Sequence, residues 1–287
     1  MIFSGSRGKR MSKDLNEKTI RLIEKVGKRA IMRAGDLISK TLGSPLSINK
    51  KGQSDFVTNI DRESESIIID EIRRNFPDHN IISEEIPSKG MGIGMNWIID
   101  PVDGTTNFIH GFPFVAVSIG VCQDDEVIMG FILDPIRNEL FFAIKGNGAT
   151  LNGHPIRVRD IKNLQDSLIA TGFPFRAKEW IDPYLATFRE IFLKVSGIRR
   201  AGSAALDLAY VACGRVDGFW EAGLKAWDVA AGGLIVREAG GIVSDFWGTE
   251  DYIKNGHIIC GNEFVYGFLL GEVGKFLAPA IKGKKES

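Results

Sequence analysis

Ile20, Ile23, Ala30, Ala34 and Leu37 recur at helical spacing, so the pattern predicts an amphipathic helix over roughly 14–42. A second helix is predicted from about Asn59 to Asn75, its apolar side carrying Ile60, Ile67, Ile68 and Ile72 and ending at Phe76-Pro77-Asp78. A short apolar step follows at Ile81-Ile82, and then a short buried strand at Trp97–Ile99. Phe114–Cys122, Val127–Leu133 and Leu140–Ile144 read as an antiparallel meander, with hairpin signals at Gly146-Asn147-Gly148 and Asn152-Gly153. Farther on, strands are predicted at Ser167–Thr171, Val216–Glu221 and Ile258–Cys260. Helices are predicted at about 182–195, 202–213, 229–239 and 262–277. Sheets layered with helices fit this order, as one unit with two subregions.

Composition changes the picture little. The chain has 287 residues, 44% hydrophobic and 25% charged, enough for a core without staples. Lys plus Arg and Asp plus Glu are both 36, so overall charge indicates neither nucleic acid nor an anionic membrane. Cys122, Cys213 and Cys260 are far apart and form no CxxC pair, which disfavours a disulfide framework and a zinc site. No signal peptide is read at the start and no run approaches the ~20 apolar residues of a spanning helix, so a cytoplasmic protein is expected. Residues 1–11 and 279–287 read as flexible tails around a single domain over 12–278, with subregions of roughly 12–160 and 161–278.

Candidate chemistry begins at WIIDPVDGTTNF, Trp97 to Phe108, where an apolar strand ends in two acids three apart. Pro101 fixes φ and forces a turn. Carboxylates as close as Asp100 and Asp103 repel unless one is protonated or a cation sits between them. A hard divalent cation fits such oxygen ligands, and the Val102 carbonyl could add another. Alone, the pair reads equally well as a turn with two solvated acids. Gly104-Thr105-Thr106-Asn107 adds a turn whose free N–H groups suit an anion. Cation ligands beside an anion cradle suit phosphoryl chemistry. Glu84-Glu85 again puts acids after an apolar step, though paired glutamates are also ordinary surface. Asp228 opens the helix of WDVAAGG, where an N-cap is the plain reading. Thr58 and Asp61 have capping-box spacing.

These segments together resemble the inositol monophosphatase family of metal-dependent, lithium-sensitive phosphatases. The resemblance rests on DFVTNID at Asp55–Asp61, SEE at Ser83–Glu85, DPVDGTTNF at Asp100–Phe108, GSAALDLAYVACGRVDGFWE at Gly202–Glu221 and WDVAAGGLIVREAGG at Trp227–Gly241. ATGFPF, Ala170–Phe175, is similar to the bacterial branch. The resemblance implies a layered αβαβα sandwich of mixed α+β class and two to three Mg²⁺ per site. Glu84, Asp100 and the Val102 carbonyl would hold one cation; Asp100, Asp103 and Asp228 a second; Glu84 and water a third. Thr105 and Asp61 would position the attacking water, and the Gly104 and Thr105 N–H groups would meet the phosphate. Gly202, Ser203, Ala204 and Glu221 would contact substrate hydroxyls, and Lys51 or Lys50 would assist.

The family usually has glycine where Ser83 stands, so a shifted turn is expected there. The implied activity is hydrolysis of a phosphate monoester, foremost inositol 1-phosphate, by direct attack of water. Fructose 1,6-bisphosphate, adenosine 3′,5′-bisphosphate and histidinol phosphate are the alternatives. A homodimer is implied, and relatives that moonlight as non-enzymatic regulators of a protein or RNA machine add a binding role as the reading from another class.

Overall fold

A computed structural model describes residues 16–44, 47–52, 55–86, 90–175 and 177–282, with the side chains of 49–52, 55 and 56 left out. The sequence-predicted arm before Ser12 lies outside these residues. In chain order the first part runs α1 (Glu17–Thr41), β1 (Ile48–Gly52), β2 (Asp55–Thr58), α2 (Asn59–Asn75), β3 (Asn80–Ser83), β4 (Met95–Asp103) and α3 (Thr105–Ile109). The meander follows as β5 (Ala116–Gln123), β6 (Glu126–Asp134), β7 (Glu139–Ile144), β8 (Ala149–Leu151) and β9 (His154–Ile156). The remainder is β10 (Leu168–Thr171), α4 (Ile181–Phe192), β11 (Gly197–Arg199), α5 (Ala204–Ala212) and β12 (Gly218–Ala222), then α6 (Ala226–Glu238), β13 (Ile242–Ser244), α7 (Tyr252–Asn255), β14 (His257–Gly261) and α8 (Glu263–Lys282).

Five layers result. Strands β3 to β9 form a seven-stranded sheet in sequence order, antiparallel except for the parallel β3–β4 pair. A five-stranded sheet runs β11-β10-β12-β14-β13, and β1 with β2 makes a separate hairpin. Helices α1 and α2 cover the outer face of the large sheet. Their core holds Ile23, Ala30, Ile38, Ile68 and Ile72 against Trp97, Ile119 and Phe131. Helices α5 and α6 fill the space between the sheets, and α4 and α8 close the far side. The αβαβα order implied by the resemblance is the order observed.

Position in the stack explains the side-chain patterns. α1 has one buried stripe, Ile23, Val26, Ala30, Ala34 and Ile38, because only one face meets a sheet. α6 is buried from Asp228 to Val236 without a polar stripe, because sheets lie on both sides. Its Ala230 and Ala231 come so near the sheet that a Cβ added at Gly130 would lie 2.6 Å from the Ala231 carbonyl.

Several expectations are corrected. β4 continues past Ile99 through both acids to Asp103. α8 continues to Lys282, into the stretch read as a flexible tail. α8 is also long and apolar enough to cross a membrane by length and composition, with mean hydropathy 1.4, although the sequence reading saw no such run. Its Val265, Leu269, Val273, Leu277 and Ile281 are buried against the small sheet, the pattern of a core helix. Ser83 needs no left-handed turn: it ends β3 in register with Ile99, and its φ is not positive. Its buried hydroxyl has no hydrogen-bond partner among the described residues.

Candidate active site

A regular strand would place residues three apart on opposite faces. Asp100 and Asp103 nevertheless share a face, and the register shows why. Asp100 pairs with Ser118 and Asp103 with Ala116, so β4 carries one residue more than β5 over this stretch. That bulge, at Pro101 and Val102, turns the second acid back towards the first. Pro101 fits here because it has no N–H for the ladder. The Val102 N–H donates to Asp100 Oδ1 at 3.1 Å.

The third acid comes from the middle layer. Carboxylate oxygens of Asp100, Asp103 and Asp228 all lie within 4.8 Å of one another. None of the three residues is more than 8% exposed. Asp228 is not the N-cap of α6. The helix begins two residues earlier, Lys225 is the cap, and the Lys225 N–H donates to Asp228 Oδ2 at 2.7 Å. Burial and the neighbouring acids Glu84, Asp103, Asp228 and Asp61 hold Asp100 well above the usual carboxylate range. Burial, then Asp228, pushes Asp103 up to about 7 against hydrogen bonds from Ser203 and the Ala205 and Ala204 backbone.

These acids open into a cavity of about 230 Å³ also lined by Glu84, Val102, Gly104, Thr105 and Thr106. Gly104 caps α3 with φ +93°, a conformation suited to glycine. A Cβ there would come within 3.0 Å of the Phe114 carbonyl. The Thr105 hydroxyl lies 3.0 Å from Asp61 Oδ1 and 3.0 Å from the Val102 carbonyl. Asp61 serves two elements at once. Its Oδ2 accepts from the Thr58 N–H at 2.8 Å and the Thr58 hydroxyl at 2.5 Å, which completes the capping box of α2. Burial raises the pKa of Asp61 although these hydrogen bonds oppose it.

The opposite wall comes from residues later in the chain: Gly172, Phe175, Arg200, Gly202, Ala204, Glu221 and Leu224. Gly172 lies so close to Glu221 that an added Cβ would sit 2.0 Å from the carboxyl carbon. Ser203 departs from its expected place on this wall. It is buried behind the cavity, and its hydroxyl donates to Asp103 Oδ2. The side chains of Lys50 and Lys51 lie outside the described residues, although the β1 backbone that carries them is described.

Sequence reasoning gave Asn107 no role beyond the turn suited to an anion, and gave Arg200 none. Asn107 Nδ2 donates to the carbonyls of Phe114 at 2.8 Å and Ala201 at 2.9 Å, and it lies 3.3 Å from that of Gly202. It thereby ties α3 to the turn that precedes α5. Asn107 lies within DPVDGTTNF, whereas Arg200, the one basic residue among the described residues that line the cavity, carries no sequence signal.

An all-oxygen donor set is the set hard divalent cations prefer, and three buried acids, with the pKa values of Asp100 and Asp103 raised, fit such a charge. Comparison with known proteins agrees with that chemistry. The family model for the inositol monophosphatase family matches residues 20–277. Over 257 residues the chain is 48% identical to "Nus factor SuhB" of Escherichia coli, covering 88% of this chain and 96% of the relative. The extragenic suppressor protein suhB of Bartonella henselae superposes with a TM-score of 0.84 at 41% identity, over 88% of this chain and 98% of that one. An inositol monophosphatase from Anabaena gives a TM-score of 0.80 at 38% identity, over 90% and 97% of the two chains. The chain belongs to the inositol monophosphatase family.

Proposed function

We propose that the chain hydrolyses phosphate monoesters of small polyols or sugars, foremost inositol 1-phosphate, at a Mg²⁺ site built on Asp100, Asp103 and Asp228. One observation carries the reading: three buried acids converge beside the Gly104–Thr106 turn in one cavity. Glu84, Asp100 and the Val102 carbonyl would hold one cation, and Asp100, Asp103 and Asp228 another. When bound, divalent cations supply Lewis acidity that activates water and offsets charge on the ester.

The chain's own groups do the rest. The Gly104 and Thr105 N–H groups, at the first turn of α3, receive the phosphate. Asp61 accepts the Thr105 hydroxyl proton, which leaves the threonine oxygen lone pairs to orient an incoming water. Glu221 and the backbone of Gly202 and Ala204 hold the polyol hydroxyls, and the Gly172 contact fixes the Glu221 carboxylate. The family also implies a homodimer, to be checked by hydrodynamic mass.

The test is phosphate release from inositol 1-phosphate, fructose 1,6-bisphosphate, adenosine 3′,5′-bisphosphate and histidinol phosphate, with and without Mg²⁺. Mg²⁺-dependent release with the highest kcat/KM on inositol 1-phosphate is expected. Folded, metal-loaded protein that releases phosphate from none of them contradicts the reading. A second reading rests on the name of the Escherichia coli relative, Nus factor, which describes no hydrolysis. It is a binding role beside catalysis, and a stoichiometric partner co-purifying with the Asp100→Asn protein would support it.

A further inference from the structure

By resemblance, Ser203 joins Gly202 and Ala204 on the substrate. Geometry separates them. Gly202 and Ala204 line the cavity, whereas Ser203 does not and is 1% exposed. The Ser203 hydroxyl donates to Asp103 Oδ2 at 2.5 Å, and the Ala205 N–H donates to the same oxygen at 2.7 Å. Ser203 is also the N-cap of α5, its Oγ accepting the Leu206 N–H at 3.3 Å. One oxygen of Asp103 is therefore held by two donors, both fixed to the first turn of a nine-residue helix. The helix is itself anchored, since Ala204, Ala205, Leu206, Leu208 and Ala209 are buried in the central core.

We infer that Ser203 is a positioning residue for cation binding and not a substrate contact. With the Ala205 N–H it fixes the rotamer of Asp103, so that this carboxylate faces Asp100 and Asp228 across the 4.8 Å cluster. Without the hydroxyl, Asp103 loses its side-chain donor, keeps only the Ala205 and Ala204 backbone, and is freer to turn about its Cα–Cβ bond. Asn107 ties the same turn from the other side through the Ala201 and Gly202 carbonyls. The 201–205 turn is thus clamped to the segment that carries Asp100 and Asp103, and cation affinity depends on where α5 sits. Outer partners that orient a metal ligand typically change affinity 10–100-fold when removed.

This inference rests on the cation reading above, and one experiment separates the two. Calorimetric titration of the stripped full-length protein with Mg²⁺ is run without substrate, followed by steady-state kinetics on inositol 1-phosphate. Ser203→Ala is expected to weaken Mg²⁺ binding by about 10-fold. Ser203→Thr, which restores the hydroxyl, should bring affinity back. At saturating Mg²⁺ the KM for the ester should stay near that of the unmodified protein. Ser203→Gly serves if the alanine protein fails to fold, because glycine is tolerated at an N-cap. Unchanged Mg²⁺ affinity with a raised ester KM would put Ser203 on the substrate and overturn the inference alone. No Mg²⁺ binding by the unmodified protein would overturn the cation reading, and this inference with it.

Discussion

Asp100 and Asp228 reach the same point by different routes. The first comes from a segment that is local in sequence: a strand, a bulge at Pro101-Val102, a left-handed glycine and one turn of helix. The second comes from an assembly: α5, β12 and α6 follow one another in the chain but lie far beyond β4, and they meet it only because α5 and α6 pack between the two sheets. The local half sets the chemistry. The assembled half sets where that chemistry is held and what it accepts. Substitutions in the first should therefore lower turnover directly, and substitutions in the second should act through affinity.

The largest effect is expected at Asp100, the acid that belongs to both proposed cation sets. Asp100→Asn should reduce Mg²⁺-dependent phosphate release by more than the roughly 100-fold seen for outer partners. Unchanged turnover would remove Asp100 from the centre. Next, Thr105→Val keeps the shape and loses the hydroxyl beside Asp61. Its kcat should fall by about 100-fold while Mg²⁺ affinity holds, and Thr105→Ser should recover most of it. A matching fall in Mg²⁺ affinity would give the hydroxyl a different task.

In the assembled half, Gly172→Ala would force the Glu221 carboxylate aside. The expected result is a KM for inositol 1-phosphate raised by about 10-fold with kcat less affected. A kcat loss at constant KM would dissolve the division between the two halves.

The smallest effect concerns pH. A carboxyl with a raised folded-state pKa lets the folded state hold more protons than the unfolded one. Its stabilising contribution is full below the unfolded value near 4 and is lost as pH rises through the folded value. Asp100, Asp103 and Asp207 all have raised values, with Asp103 at about 7. Metal-free protein should therefore lose Tm from these groups between pH 4 and about 7. Added Mg²⁺ should raise Tm more at pH 8 than at pH 5, in thermal scans with and without EDTA. Equal Mg²⁺ gains at both values would mean the acids are not the binding groups.

The two halves also differed in how legible they were. Helical periodicity found α1 and α2, and the Thr58–Asp61 spacing found the cap that holds Asp61. Paired acids at the end of an apolar run pointed to a cation before any family likeness. The bulge stayed hidden, because a period of two says nothing about where a partner strand skips a residue. The start of α6 was misjudged for a related reason: an acid at the cap and an acid three residues inside both satisfy an exposed N–H. Strands as short as β11 and β13 carry too few residues for a periodic signal. The layer order was supplied by the family likeness, since local patterns do not say which face meets which. Ser203 shows the limit of that likeness. Motif position placed it beside the substrate, and a single hydrogen bond to Asp103 places it behind the acids.

The most direct test of the central claim is a titration of EDTA-stripped protein with Mg²⁺ while phosphate release from inositol 1-phosphate is followed, beside Asp100→Asn. Release that is absent without metal, rises to saturation with Mg²⁺ and is lost in the variant is the expected result. Release that proceeds equally in EDTA, or equally in the variant, would contradict a cation-dependent phosphatase centred on Asp100.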